Sequence, residues 1–177
     1  MLKLIEADTR YLAEYQEAYL KSLDEINKGK MKKHDLMFLN SEENDIIQIF
    51  KDNRNQEKLP EHYVPSYDYF AVDEEKFIGV IHIRVRLTEN LLKYGGHIGY
   101  GVNPKYWNLG YGKEILKLGL EKAKNLILEE NILITCDDDN IASSKIIESN
   151  GGILKDKIEN TDCDETFLTR RYWIKRS

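Results

Sequence analysis

The spacing of hydrophobic residues in the first third of the chain predicts one strand and two helices. An apolar run at residues 2–6 is typical of a short opening strand. A helix cap at Asp8 or Thr9 precedes apolar residues at helical spacing, which predict one buried stripe: Leu12, Tyr15, Tyr19, Leu23 and Ile26. Ser41 and two acidic residues precede a second apolar group at residues 46–50, and this order predicts a shorter helix.

The middle of the chain has the pattern of a hairpin. Four polar residues, 73–76, separate two apolar runs and signal a turn between strands. In the second run, residues 77–87, every other position is apolar, while His82, Arg84 and Arg86 share the opposite face. We therefore expect a half-buried strand that becomes solvated towards its end. The polar stretch 51–66 before the hairpin holds two of the three prolines and predicts a surface loop.

The last part of the chain alternates between strands and helices. The expected elements are a glycine-rich strand at 96–102, a helix with its apolar stripe at Leu116, Leu120, Ala123 and Ile127, a buried strand at 132–136, a helix that Asn140 opens and Gly151 ends, and two closing strands at 153–159 and 165–174. The order β-α-α-β-β-β-α-β-α-β-β indicates one mixed α/β domain over residues 1–177. We find no repeat and no linker that would divide it.

Composition and charge narrow the function classes. The net charge is −5 and the pI about 5.5, so the basic surface that nucleic-acid binding requires is not expected. The N-terminus lacks the apolar run of a signal peptide, and no segment has the length of a membrane span, so we expect a cytoplasmic protein without membrane contact. Cys136 and Cys163 form no CxxC pair and have no histidine cluster nearby, so no metal site is expected.

The segment 99–116, GYGVNPKYWNLGYGKEIL, places Gly110 and Gly112 at the start of a helix directly after a strand. The N–H groups at a helix start are unpaired and carry partial positive charge, so they bind phosphate. A glycine lets a pyrophosphate approach the backbone, and Lys113 would add a full charge. The third glycine of the dinucleotide-binding fingerprint is absent, and so is the P-loop pattern.

This segment resembles the signature of the GNAT superfamily of N-acetyltransferases, V-x-P followed by Arg/Gln-x-x-G-x-Gly/Ala. The match runs from Val102-Asn103-Pro104 to Gly112, with Trp107 where the family usually has Arg or Gln. The resemblance implies a mostly antiparallel central sheet with helices on both faces, and acetyl-CoA as cosubstrate. It also implies that the pyrophosphate is held around the turn, at Val102, Asn108, Leu109, Gly110, Tyr111, Gly112 and Lys113.

A second segment, CDDDNIASSKIIESNGG at 136–152, resembles the next GNAT motif, in which an Asn opens a helix beside the pantetheine arm. Asn140 and Ser143 fall at matching offsets, although Asn140 would serve as a helix cap in any case. The stretch 78–152 is similar to a bacterial subgroup of uncharacterised predicted acetyltransferases. Relatives of this kind are often dimers, and the apolar Tyr172-Trp173-Ile174 suits an interface as well as a core strand, so we expect a homodimer.

Acetyl transfer to an amine requires that the amine lose a proton, which costs roughly 4.6 kcal/mol at pH 7 for a lysine-like amine of pKa about 10.4. His97, on the strand expected beside the thioester, is the candidate base, and a structural role at a strand start is the alternative. The family often has a Tyr as the acid for the thiol, but the matching residue here is Ile147. Either Tyr100 takes that role, or the thiolate leaves unaided. The resemblance also implies that the oxyanion donor is a backbone N–H exposed by a bulge in this strand, which Gly99 and Gly101 would permit.

The sequence thus predicts an acetyl-CoA-dependent N-acetyltransferase whose acceptor is a small-molecule or protein amine. The missing Tyr at position 147 leaves open a second possibility, a CoA-binding sensor or partner protein without catalysis. A nucleotide-binding domain that uses the same glycine turn is a third.

Overall fold

The computed structural model describes residues 1–161 and 165–176, so Cys163 lies outside the described residues. The strands are β1 (Leu2–Ile5), β2 (Ser66–Asp73), β3 (Lys76–Arg84), β4 (Ile98–Val102), β5 (Asn131–Asp137), β6 (Ile153–Asn160) and β7 (Phe167–Lys175). The helices are α1 (Leu12–Asn27), α2 (Ile46–Asp52), α3 (Tyr111–Ala123) and α4 (Ile141–Ser149). Apart from short helical turns in the connections, the element order is the predicted one.

The strands form two antiparallel sheets, one of order β1-β2-β3-β4 and one of order β5-β7-β6. Helix α3 packs on the face of the first sheet that carries Ile81, and α1 packs on the face that carries Val80. Because neighbouring strand residues point to opposite faces, the two helices lie on opposite sides of the sheet. The predicted fold class, an antiparallel sheet flanked by helices on both faces, is confirmed. No helix among the described residues is long and apolar enough to cross a bilayer.

Two helix predictions need correction. The buried face of α1 runs through Tyr15, Ala18 and Ser22, whereas Leu23 is only partly buried. The predicted stripe contains only large apolar residues, whereas small residues permit the closest approach of a helix to a sheet. Helix α2 begins later than expected, because its cap is Asp45, whose side chain accepts from the Gln48 N–H.

Strand β3 ends at Arg84 and is buried on both faces over most of its length. The prediction of a longer, half-solvated strand was therefore wrong. The face that carries His82 is covered by the α1–α2 side of the molecule, where Phe50 contacts the His82 ring edge-on at 5.7 Å between centroids. A polar residue on this face consequently needs a buried partner, and His82 Nδ1 lies 2.6 Å from a carboxylate oxygen of Asp68.

The closing strand β7 belongs to the core. Tyr172 is fully buried and Ile174 nearly so, in the cluster that also holds Ile134 and Ile147. These two side chains are therefore not available to an interface, and the homodimer stays a prediction.

Candidate active site

The two sheets are joined at the start of β4 and separate beyond it. The His97 N–H donates to the Leu133 carbonyl oxygen at 2.7 Å, and the Leu133 N–H donates to His97 Nδ1 at 3.0 Å. After this junction β4 and β5 belong to different sheets, and a cleft of about 1060 Å³ lies between them. Its walls are β4, β5, the starts of α3 and α4, and residues 29–38 before α2.

The turn before α3 forms one end of the cleft. Gly110 is the cap residue of the helix and has a φ of 85°, and Asn108 has a φ of 63°. Such left-handed backbone favours glycine and tolerates asparagine. A Cβ on Gly110 would meet no protein atom within 4 Å, so the space beside this residue is open to a ligand. The unpaired N–H groups at the start of α3 face an accessible site for an anion.

Trp107 explains how the turn is held without the usual Arg or Gln. Its indole Nε1 donates to the Val102 carbonyl oxygen at 2.9 Å, which ties the turn to the end of β4. The indole is apolar except for this one donor, so the side chain braces the turn and brings no charge to the phosphate site.

The other residues assigned to the turn divide into two groups. Val102, Asn108, Gly110, Tyr111, Gly112 and Lys113 line the cleft, whereas Leu109 does not and is 66% exposed. The hydroxyl of Tyr111 donates to Asp73 at 3.0 Å and so turns towards the β2–β3 hairpin. A Cβ on Gly112 would come within 2.7 Å of Ile146 Cδ1, so this glycine permits the close packing of α3 against α4.

Asn140 and Ser143 lie where the second motif predicts. The Asn140 side chain accepts from the Ser143 N–H at 3.1 Å and caps α4. The Ser143 hydroxyl is 2.9 Å from the Tyr100 hydroxyl, which brings a side chain from β4 to α4. Burial raises the pKa of Tyr100, against a smaller opposing effect of the Ser143 hydrogen bond, so the phenol stays protonated at neutral pH.

The edge of β4 that faces the cleft has a regular backbone. The register with β3 runs without a shift from Ile98 to Val102, so the expected bulge at Gly99 and Gly101 is absent from the strand. The Asn103 N–H still bonds to β3, at 2.8 Å. Because the hydrogen-bonding direction alternates along an antiparallel strand, the N–H groups of Ile98 and Tyr100 point away from β3 into the cleft.

His97 lies at the junction of the sheets and is fully buried. It does not line the cleft, and its Nδ1 already accepts the Leu133 N–H. Nε2 is 3.6 Å from a Glu129 oxygen and has no hydrogen-bond partner among the described residues. Burial lowers the pKa of His97, with an opposing effect of Glu129. Its assignment as the base stays a prediction, but this geometry favours a structural role.

Sequence reasoning missed a charged group on the wall formed by residues 29–38. His34 Nε2 is 2.7 Å from Asp137 Oδ2, and Lys32 Nζ is 3.1 Å from the same oxygen and 2.9 Å from Asp139. Ligand atoms of His34, Asp35 and Asp137 lie within 4.8 Å of one another, and the Lys32 ammonium pairs with Asp137. No local sequence signal links His34 to Asp137, because the two residues lie 103 positions apart.

The chain matches the sequence model of the acetyltransferase (GNAT) domain over residues 27–153. It belongs to this family, which confirms the resemblance seen in the two motifs and supports acetyl-CoA as the cosubstrate. None of the curated protein sequences compared with this chain matches it significantly.

Solved structures show the same fold at low identity. The microcin C7 self-immunity acetyltransferase MccE, in complex with acetyl-CoA and AMP, has a TM-score of 0.71 at 16% identity, with 98% of this chain and 92% of that chain covered. An acetyltransferase from Salmonella typhimurium that modifies the N-terminal serine of a 50S ribosomal subunit protein has a TM-score of 0.68 at 18% identity, covering 98% and 94%. A chimera of the spermidine N-acetyltransferase SpeG from Vibrio cholerae and hSSAT has a TM-score of 0.64 at 12% identity, covering 99% and 95%.

Proposed function

We propose that this protein transfers the acetyl group of acetyl-CoA to a primary amine of a small molecule or a protein, by direct attack of the amine on the thioester. The observation that carries the proposal is the cleft between β4 and β5, which has the start of α3 at one end and the edge of β4 along its length. The structural neighbours named above include enzymes for a protein serine terminus and for spermidine, which supports an amine as the acceptor class.

The residues of the cleft fit CoA. The N–H groups that follow Gly110 would hold the pyrophosphate, and Lys113 at the same end would add positive charge. The outward N–H groups of β4 and the opening between Tyr100 and Asn140 suit the amide-containing pantetheine arm. Acetyl-CoA supplies an acetyl group already activated as a thioester.

Groups of the protein would stabilise the carbonyl oxygen of the thioester during the transfer. The N–H groups of Ile98 and Tyr100 are donors on the cleft edge for an oxygen that gains negative charge. Burial raises the pKa of the Cys136 thiol to about 12, so this thiol stays protonated at neutral pH. This supports direct attack of the amine on the thioester over an intermediate acetylated at Cys136.

Tyr100 is the proposed donor of a proton to the leaving sulfur. Tyr100→Phe removes the hydroxyl and its contact with Ser143, and keeps the ring that packs against the core. We expect turnover to fall by about 10-fold or more, at the low end of acid–base effects because a thiolate is a tolerable leaving group. CoA affinity should change little. Ser143→Ala is the matched control, because it removes the hydrogen-bond partner of Tyr100 but leaves the phenol. Equal turnover in Tyr100→Phe and in the wild type would show that the thiolate leaves without a proton from Tyr100.

The function itself is tested with a panel of amines. We expect CoA, but not ATP or NAD, to raise the unfolding temperature, and thiol release from acetyl-CoA to depend on an added amine. Tight CoA binding without turnover across polyamines, amino sugars and peptide N-termini would instead favour the sensor. Preferential stabilisation by ATP or NAD would favour the nucleotide-binding alternative.

A further inference from the structure

The cleft wall formed by residues 29–38 carries a histidine in a defined orientation. Residues of β5 alternate in direction, so Cys136 faces the core that includes Ile147, and Asp137 faces the segment before α2. Asp137 is only 6% exposed, and its Oδ2 lies 2.7 Å from His34 Nε2, within hydrogen-bond distance. The charged group of Lys32, His34 and Asp137 therefore lies on one side of β5. The Tyr100–Ser143 pair lies on the other side, next to Cys136.

The position of the His34 ring is fixed by two contacts. The ring stacks on Phe167, with centroids 4.7 Å apart and planes at 4°. Its Nε2 faces a carboxylate, which only accepts hydrogen bonds, so Nε2 carries the hydrogen. In the neutral ring Nδ1 is then the basic nitrogen. It makes no hydrogen bond to any residue within 1–161 or 165–176.

The other histidines are not placed for this role. Among the described residues, which include all four histidines, His34 alone lines the cleft. His82 is paired with Asp68 at 2.6 Å outside the cleft, His97 is buried at the sheet junction, and His62 lies in the loop before β2.

We propose that His34, oriented by Asp137, is the general base that takes the proton from the acceptor amine on this side of the cleft. The inference rests on the proposed function. One proton of the acceptor ammonium passes to His34 Nδ1 and is later released to solvent, and the amine nitrogen bonds to the carbonyl carbon. The nitrogen then loses a second proton, which makes up for the proton that the sulfur takes as the carbon–sulfur bond breaks. The products are the amide, the free thiol and one released proton.

The test compares His34→Gln with His62→Gln, a matched change of a histidine outside the cleft. With an alkylamine that the wild type acetylates, we expect kcat/KM to fall by about 10²-fold or more in His34→Gln and to stay unchanged in His62→Gln. With hydroxylamine, an acceptor already neutral at pH 7, the loss in His34→Gln should be much smaller, because no ammonium proton must be removed. CoA affinity should be unchanged in both variants.

A readout without turnover tests the orientation of the ring. Side-chain NMR of the ligand-free protein should show His34 in the Nε2–H tautomer, and Asp137→Asn should shift the ring signals. The Nδ1–H tautomer, or an equal loss with hydroxylamine and alkylamine, would overturn the assignment, as would near-normal turnover in His34→Gln. Wild-type protein that acetylates no amine would overturn the proposed function and the base together, whereas an active wild type with an unaffected variant would overturn the base alone.

Discussion

Gly110→Val is expected to remove most of the CoA affinity while the fold is retained. At a φ of 85° a β-branched side chain strains the backbone, and the turn relaxes away from the shape that presents its N–H groups. The added side chain also fills the open space where the pyrophosphate would contact the backbone. A loss of about 2 kcal/mol corresponds to an affinity roughly 30-fold weaker.

Gly151→Val provides the matched control. Gly151 has a φ of 89°, its Cβ would also meet nothing within 4 Å, and it lies after α4, outside the cleft lining. Both variants should lose about 1–2 kcal/mol of unfolding free energy, since the backbone strain is the same. Calorimetric titration with CoA should separate them. Equal CoA affinity in the two folded variants would contradict the assignment of the phosphate turn.

The order of elements was predictable because each element has its own hydrophobic pattern within a few consecutive residues. The alternation along residues 77–83 and the apolar run in β5 are local patterns that indicate strands, whatever else packs on them. The errors lie where tertiary packing decides. On α1, Ala18 and Ser22 are buried because they face the sheet. The His82 face of β3 is covered by elements distant in the sequence.

The candidate site divides in the same way. The start of α3 and the Asn140 cap were predictable, because backbone N–H groups and a capping side chain depend on a few consecutive residues. The Tyr100–Ser143 contact joins residues 43 positions apart, and the His34–Asp137 contact joins residues 103 apart. Such pairs depend on how β4 and β5 separate, which is set by the way the two sheets join.

The junction that produces this separation also gives the second large effect. His97→Ala leaves the Leu133 N–H buried without its partner and opens a cavity at the sheet junction. The two losses together are worth about 3 kcal/mol of unfolding free energy, or roughly 10 °C in melting temperature for a chain of this size. Thermal and urea unfolding measure both. Melting within about 2 °C of the wild type would show that the bond is dispensable.

His97→Asn separates a structural histidine from a catalytic one. The Asn side-chain oxygen can accept the Leu133 N–H in place of Nδ1, so this variant should recover part of the lost stability and keep turnover within about 3-fold, whereas a base replaced by Asn would lose about 10²-fold.

The pH dependence of the unfolding free energy adds a second criterion. Because burial lowers the pKa of His97, the unfolded chain binds a proton more readily than the native one, so wild-type stability falls as the pH drops below about 6.5. His97→Asn cannot titrate and should lose this part of the slope. Turnover that disappears in both variants, together with an unchanged stability profile between pH about 7 and 5, would return His97 to the role of base.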